Sequence, residues 1–181
     1  MKRVSKALDE AYIGVAIALI AVCSWISIPT AVPFTLQTFA VFFVLSFLGG
    51  KHGTAAIAIY LLLGAIGIPV FAEFTSGFGV ILGTTGGYLI GFILIGLIYW
   101  SLVKFFGKEM WVEAVAFVVG LVVLYAFGTA WFMIVYARTT GAIGLWTALG
   151  WCVFPFILPD LVKLSLGLFL ARKITAIQNK R

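Results

Sequence analysis

The sequence predicts an all-α integral membrane protein, and three observations carry that reading. Hydrophobic residues make up 64% of the 181 and charged residues 10%, against roughly half and a quarter in a soluble domain. The uncharged runs 11–50, 53–72, 74–103, 114–137 and 139–159 all meet the roughly 20 residues that one helix needs to cross a bilayer. Lysine and arginine cluster at alternate ends of the spans, as in helices oriented by the positive-inside rule. The chain, 1–181, reads as a single membrane domain.

Run 11–50 divides at Pro29-Thr30-Ala31-Val32-Pro33, because the residue before each proline is pushed out of helical geometry. Run 74–103 has a glycine- and threonine-rich front, Thr75 to Gly87, before its apolar body, and the last run continues past Pro159 to Leu170. Six transmembrane helices follow, near 9–28, 34–49, 54–69, 84–104, 112–137 and 150–172. Lys2, Arg3 and Lys6 precede the first, Lys51 joins the second to the third, Lys104 and Lys108 join the fourth to the fifth, and Arg172, Lys173, Lys180 and Arg181 follow the sixth. Ten of the twelve basic residues thus share one side, which makes both termini cytoplasmic. Arg138 and Lys163 are the exceptions, on the outer half. The net charge of +6 reads as topology and contact with anionic lipid, not nucleic-acid binding.

Cys23 and Cys152 fall inside spans, so they read as packing residues and not as a disulfide framework. His52 stands alone in a short turn and makes no metal site. Residues 1–28 have the basic start and apolar body of a signal peptide, but the following chain is also membrane-embedded, so the first helix is expected to stay. There is no Gly-x-x-x-x-Gly-Lys-Ser/Thr motif, metal-ligand cluster or nucleophile with a base. The expectation is a protein that is no enzyme and carries no cofactor; if it pumps, a partner supplies the energy.

Helix one carries small residues at Ala7, Ala11, Gly14, Ala18 and Ala21, spaced four, three, four and three apart. Such a groove lets another helix backbone approach closely, either within this chain or on another subunit. Thr35, Gln37 and Thr38 cluster at the outer end of the second helix, where Gln37 can donate and accept toward an amide-like group and Thr35 can cap the helix. Val70 to Leu82, the longest outer connection, suits a lid with apolar faces. Gly83, Gly87 and Gly91 are spaced for helix contact, while Gly86 exposes backbone amides and Tyr88 offers a flat face with a hydroxyl. Arg138, at the outer mouth, suits a carboxylate through its fork of donors or simply snorkels.

The final span is the centre of the reading. Asp160 and Lys163 stand three residues apart, on one helix face, where an ionisable group deep in a bilayer costs roughly 2.5–3.5 kcal/mol and by default marks function. The alternative is a pair that only neutralises itself. Pro159 either kinks this helix or starts a new one. Trp146 and Trp151 are expected beside the pocket.

Three segments, Val32-Pro33-Phe34-Thr35-Leu36-Gln37-Thr38, Gly83-Thr84-Thr85-Gly86-Gly87-Tyr88-Leu89-Ile90-Gly91-Phe92 and Pro159-Asp160-Leu161-Val162-Lys163, resemble the BioY family of biotin-specific S components of energy-coupling-factor transporters. The family's second motif normally has proline where Thr84 stands. The resemblance implies a plasma-membrane, six-helix subunit that captures biotin from outside and works with a transmembrane coupling protein and two cytoplasmic ATPases, tilting as a whole to deliver its cargo. It implies that Ala11, Gly14 and Ala18 dock the coupling protein. For biotin it implies Asp160 accepting from the ureido N–H groups and Lys163 donating to the ureido oxygen or to the carboxylate. Arg138 is the other carboxylate partner, and Thr35, Gln37, Thr85, Gly86, Gly87 and Tyr88 complete the site. The rivals are an S component for another vitamin, a self-sufficient carrier and a membrane scaffold.

Overall fold

The structure, a computed structural model, describes residues 6–178. Lys2, Arg3, Lys180 and Arg181, four of the basic residues used to orient the chain, lie outside them. The described chain is helical apart from one short strand pair: α1 (Lys6–Trp25), β1 (Ser27–Ile28), β2 (Phe34–Thr35), α2 (Gln37–Ala65), a 3-10 turn (Ala72–Phe74), α3 (Phe78–Leu82), α4 (Gly86–Phe106), α5 (Met110–Thr139), α6 (Leu145–Cys152) and α7 (Phe154–Gln178). Five segments are long and apolar enough to cross a membrane: α1, α2, α4, α5 and the stretch Leu145–Gln178.

The second and third expected helices form one assigned element, α2, and the physical reason is the tightness of the turn between them. Gly49 alone leaves helical geometry, with φ 80 and ψ 167, a conformation that glycine reaches without steric cost. The chain folds back there. A Cβ placed on Gly53 would lie 3.0 Å from the Leu45 Cα, whereas eight residues of straight helix cover about 12 Å. Gln37 likewise reaches Tyr60 through a side-chain hydrogen bond of 3.0 Å. α2 is therefore two antiparallel arms, and the expected connection at 50–53 is itself helical.

The other boundary shifts are local. The proline turn after α1 is a small antiparallel pair, with Ser27 opposite Thr35 and Ile28 opposite Phe34, so the second helix starts at Gln37 and not at 34. The helix expected at 150–172 is divided at Val153 into α6 and α7. Pro155 occupies the first turn of α7, where its missing N–H costs nothing, while Pro159 lies inside the helix.

The core lies between α1, both arms of α2, α4, α5 and α7. Gly167 of α7 sits against Phe42 and the Phe39 carbonyl, with 3.2 Å for a virtual Cβ. Toward the C-terminal end of α7, Glu113 is fully buried and accepts from Ser46 at 3.0 Å, from Tyr99 and from Arg172 Nε at 2.8 Å. Arg172 also donates to the Lys108 carbonyl at 2.8 Å, and Lys108 Nζ donates to the Ser46 carbonyl at 2.6 Å. Burial of that ammonium holds the Lys108 pKa below the usual lysine value; Glu113 opposes the shift and Arg172 adds to it. This cluster ties α2, α4, α5 and α7 together.

Candidate ligand-binding site

Toward the other end of α7, a cavity of about 300 Å³ opens among the β1–β2 turn, α2, the 70–82 connection, α4, α5 and the start of α7. Its size is at the lower end of small-molecule sites, roughly 300–1,000 Å³. Six of the expected residues line it: Thr35, Gln37, Thr85, Tyr88, Asp160 and Lys163.

Asp160 and Lys163 are 2% and 6% exposed, so their pairing decides whether such burial is tolerable. Lys163 Nζ lies 2.9 Å from Asp160 Oδ1, which confirms mutual neutralisation without removing either group from the cavity wall. The helix restart at Val153 places both on the α7 face that meets the first arm of α2. Lys163 also donates to the Thr35 carbonyl at 2.7 Å and lies 4.2 Å from the centre of the Phe34 ring. The same carboxylate accepts from Thr38 at 2.8 Å, and its Oδ2 accepts from Tyr125 at 2.7 Å. Hydrogen bonds of this kind fix the carboxylate in place.

Tyr125 and Glu73 are cavity residues that sequence reasoning left out. Tyr125 had a signal: a tyrosine in mid-span needs a partner for its hydroxyl. Glu73 adopts φ 56 in the 3-10 turn, a conformation uncommon outside glycine. The 70–82 connection does cover the cavity, through Phe71, Ala72, Glu73, Thr75 and Val80. It is tied down: the Val70 carbonyl accepts from Ser24 at 2.6 Å and from Tyr60 at 2.9 Å, and Gly77 N–H donates to the Gly64 carbonyl at 2.7 Å. Thr35 is both liner and cap, its Oγ1 accepting from Gln37 N–H at 3.1 Å.

The other expected residues stand elsewhere. Gly86 and Gly87 are off the wall, because both serve close backbone approach: a Cβ on Gly86 would overlap the Ile81 carbonyl, and one on Gly87 would lie 2.4 Å from Trp131 Cβ. Arg138, in the last turn of α5, is exposed and off the wall. Trp146 and Trp151 are also off it, 78% and 44% exposed; Trp131 touches the wall through its indole, which donates to the carbonyl of the lining residue Gly83 at 2.9 Å. Ala11, Gly14 and Ala18 lie on an exposed face of α1 with Ala7, while Ala21 is buried. Among the described residues no cluster of His, Cys, Asp and Glu could hold a metal ion.

Apolar helices around a partly open cavity, with one buried ion pair on its wall, define a multi-pass membrane protein with a candidate site whose wall is mostly apolar and polar at one end. Comparison with known proteins gives the family. The sequence matches the model of the BioY family over residues 1–180, and the chain belongs to that family. It is 40% identical to the biotin transporter BioY of Thermotoga maritima over 93% of this chain and 96% of that protein. It is 36% identical to the probable biotin transporter BioY of Pyrococcus horikoshii, over 93% and 97%. The fold is similar to a crystal structure of the S-component for biotin from an ECF-type ABC transporter, with a TM-score of 0.83, 25% identity and coverage of 97% of this chain and 95% of that one.

Proposed function

We propose that this chain is the biotin-binding S component of an energy-coupling-factor transporter, and that it binds biotin in the cavity beside Asp160 and Lys163. The observation that carries the reading is the buried ion pair on the cavity wall. A ureido group offers two N–H donors and one carbonyl acceptor, so a carboxylate and an ammonium side by side are its complement. Phe71, Leu89, Phe92, Leu124 and Phe156 line the cavity and suit the thioether ring and the valeryl chain. In this reading Lys163 serves the ureido oxygen, because it is anchored to Asp160. The biotin carboxylate points to the side of Thr84 and Thr85, with Arg138 engaging it outside the cavity.

The molecule works as a transport subunit and not as an enzyme. It is one membrane domain that crosses six times, since the two arms of α2 count as separate passes, and it keeps both termini on the cytoplasmic side of the plasma membrane. The exposed small residues Ala11, Gly14 and Ala18 form the docking face for a transmembrane coupling protein, which brings two cytoplasmic ATPases.

Calorimetric titration of the purified protein with biotin and with other vitamins tests the substrate. Saturable binding of biotin alone is expected; binding of another vitamin in its place would overturn the assignment. Uptake of biotin into liposomes without any ATPase would make the chain a self-sufficient carrier instead.

A further inference from the structure

One chain of hydrogen bonds at the cavity wall has a fixed direction. Tyr60 is fully buried, and its hydroxyl donates to the Val70 carbonyl at 2.9 Å. A hydroxyl has a single proton, so toward Gln37 it can only accept. Gln37 must therefore turn its NH₂ to Tyr60, at 3.0 Å, which aims its carboxamide oxygen the other way; amide orientation is set by such networks. Among the described residues, the one enclosed side-chain polar atom without a partner is Thr54 Oγ1. The Gln37 oxygen accepts no bond from the protein, so it is not sealed in, and its residue lines the cavity.

The remaining hydrogen-bond capacity can be counted from the side-chain inventory. Asp160 has four lone-pair sites, of which Thr38, Lys163 and Tyr125 occupy three. Lys163 has three N–H donors, two of them committed to Asp160 and to the Thr35 carbonyl. At the ion pair and Gln37, the wall leaves open one acceptor site on Asp160, the Gln37 oxygen and one donor on Lys163.

We infer that Tyr60 is a positioning residue that fixes Gln37 as the second acceptor of the site, so that Asp160 and Gln37 take one ureido N–H each while Lys163 takes the oxygen. The inference rests on the biotin reading above. It makes the site selective for a ligand in which two N–H donors flank one acceptor, and it divides between two residues a task that Asp160 would otherwise carry alone.

The test is calorimetry on the purified full chain with biotin and with its two mono-N-methyl ureido isomers. Either isomer should bind wild type roughly tenfold or more weakly than biotin, since each has lost a paired donor. In Gln37→Ala, one isomer should bind as well as biotin does to that variant, while the other keeps its penalty. Tyr60→Phe should weaken biotin roughly two- to tenfold in the wild-type background and not at all in the Gln37→Ala background. An equal loss in both backgrounds would give Tyr60 a merely structural role and overturn the inference, as would an N-methyl isomer that matches biotin on wild type. If Tyr60→Phe fails to fold, the methyl isomers on wild type and on Gln37→Ala decide the matter. Wild type that ignores biotin but binds a different vitamin overturns the substrate reading itself.

Discussion

At Asp160 the carboxylate is already engaged by three side chains, so its role in binding depends on charge and placement together. Asp160→Asn keeps the shape and loses the charge-assisted acceptor, a difference of about 1.5–3 kcal/mol, or roughly ten- to more than a hundredfold in affinity. Calorimetry showing undiminished biotin binding would remove the residue from the site. Tyr125→Phe takes away one donor but leaves the charge, so its loss should be smaller than that of Asp160→Asn in the same titration; the reverse ranking would mean that the phenol itself contacts the ligand. Asp160 and Lys163 were legible because charge in a span is rare and costly. Gln37 and Thr35 were legible as a polar cluster beside two prolines. Tyr125 and Tyr60 were not, since a tyrosine reads as apolar area until its hydroxyl is seen to reach a partner. Gly86 and Gly87 were identified as important residues, but their contribution is contact with Ile81 and Trp131, which depends on how the chain packs and not on local spacing.

At the level of elements, the presence of long apolar helices could be read from the sequence because burial in lipid demands them; their ends and the turns could not. The Gly49 reversal is so short that the flanking residues stay helical, and the break at Val153 is marked in the sequence only by Pro155, two residues on. The Glu113 cluster was also missed, because a lone acid near a helix start resembles an ordinary end. Glu113→Ala strips Arg172 of its partner, and breaking such a pair costs about 3–5 kcal/mol. Arg172 is partly exposed, so the loss should fall at the lower end, read as a lowered melting temperature in detergent; an unchanged melt would show that the pair contributes nothing. Lys108 adds a pH dependence with a definite sign. Its folded pKa lies below the unfolded value, so the stability it contributes rises as pH climbs through the folded pKa and is complete above about 10.4. Wild type should therefore gain on Lys108→Met as pH rises toward about 10.4 in paired melts; a constant gap would remove Lys108 as the cause.

For the whole molecule, the sequence was most informative where the bilayer sets the rules, and least where two helices must meet. The small-residue face of α1 illustrates both. Its spacing was plain, yet whether it packs inward could be decided only by finding Ala11, Gly14 and Ala18 exposed and Ala21 buried. Gly14 has nothing within 4 Å of a virtual Cβ, so Gly14→Leu should leave folding and biotin binding intact while abolishing co-purification with the coupling protein; retained co-purification would move the docking surface elsewhere. The two polar clusters on α7, centred on Asp160 and Arg172, stand twelve residues or about 18 Å apart. Both also grip the first arm of α2, through Thr38 at one end and through Ser46, by way of Glu113, at the other. Two beams riveted at each end do not part like a hinge. The pair is therefore one stiff unit, and the seam between them is closed at both ends.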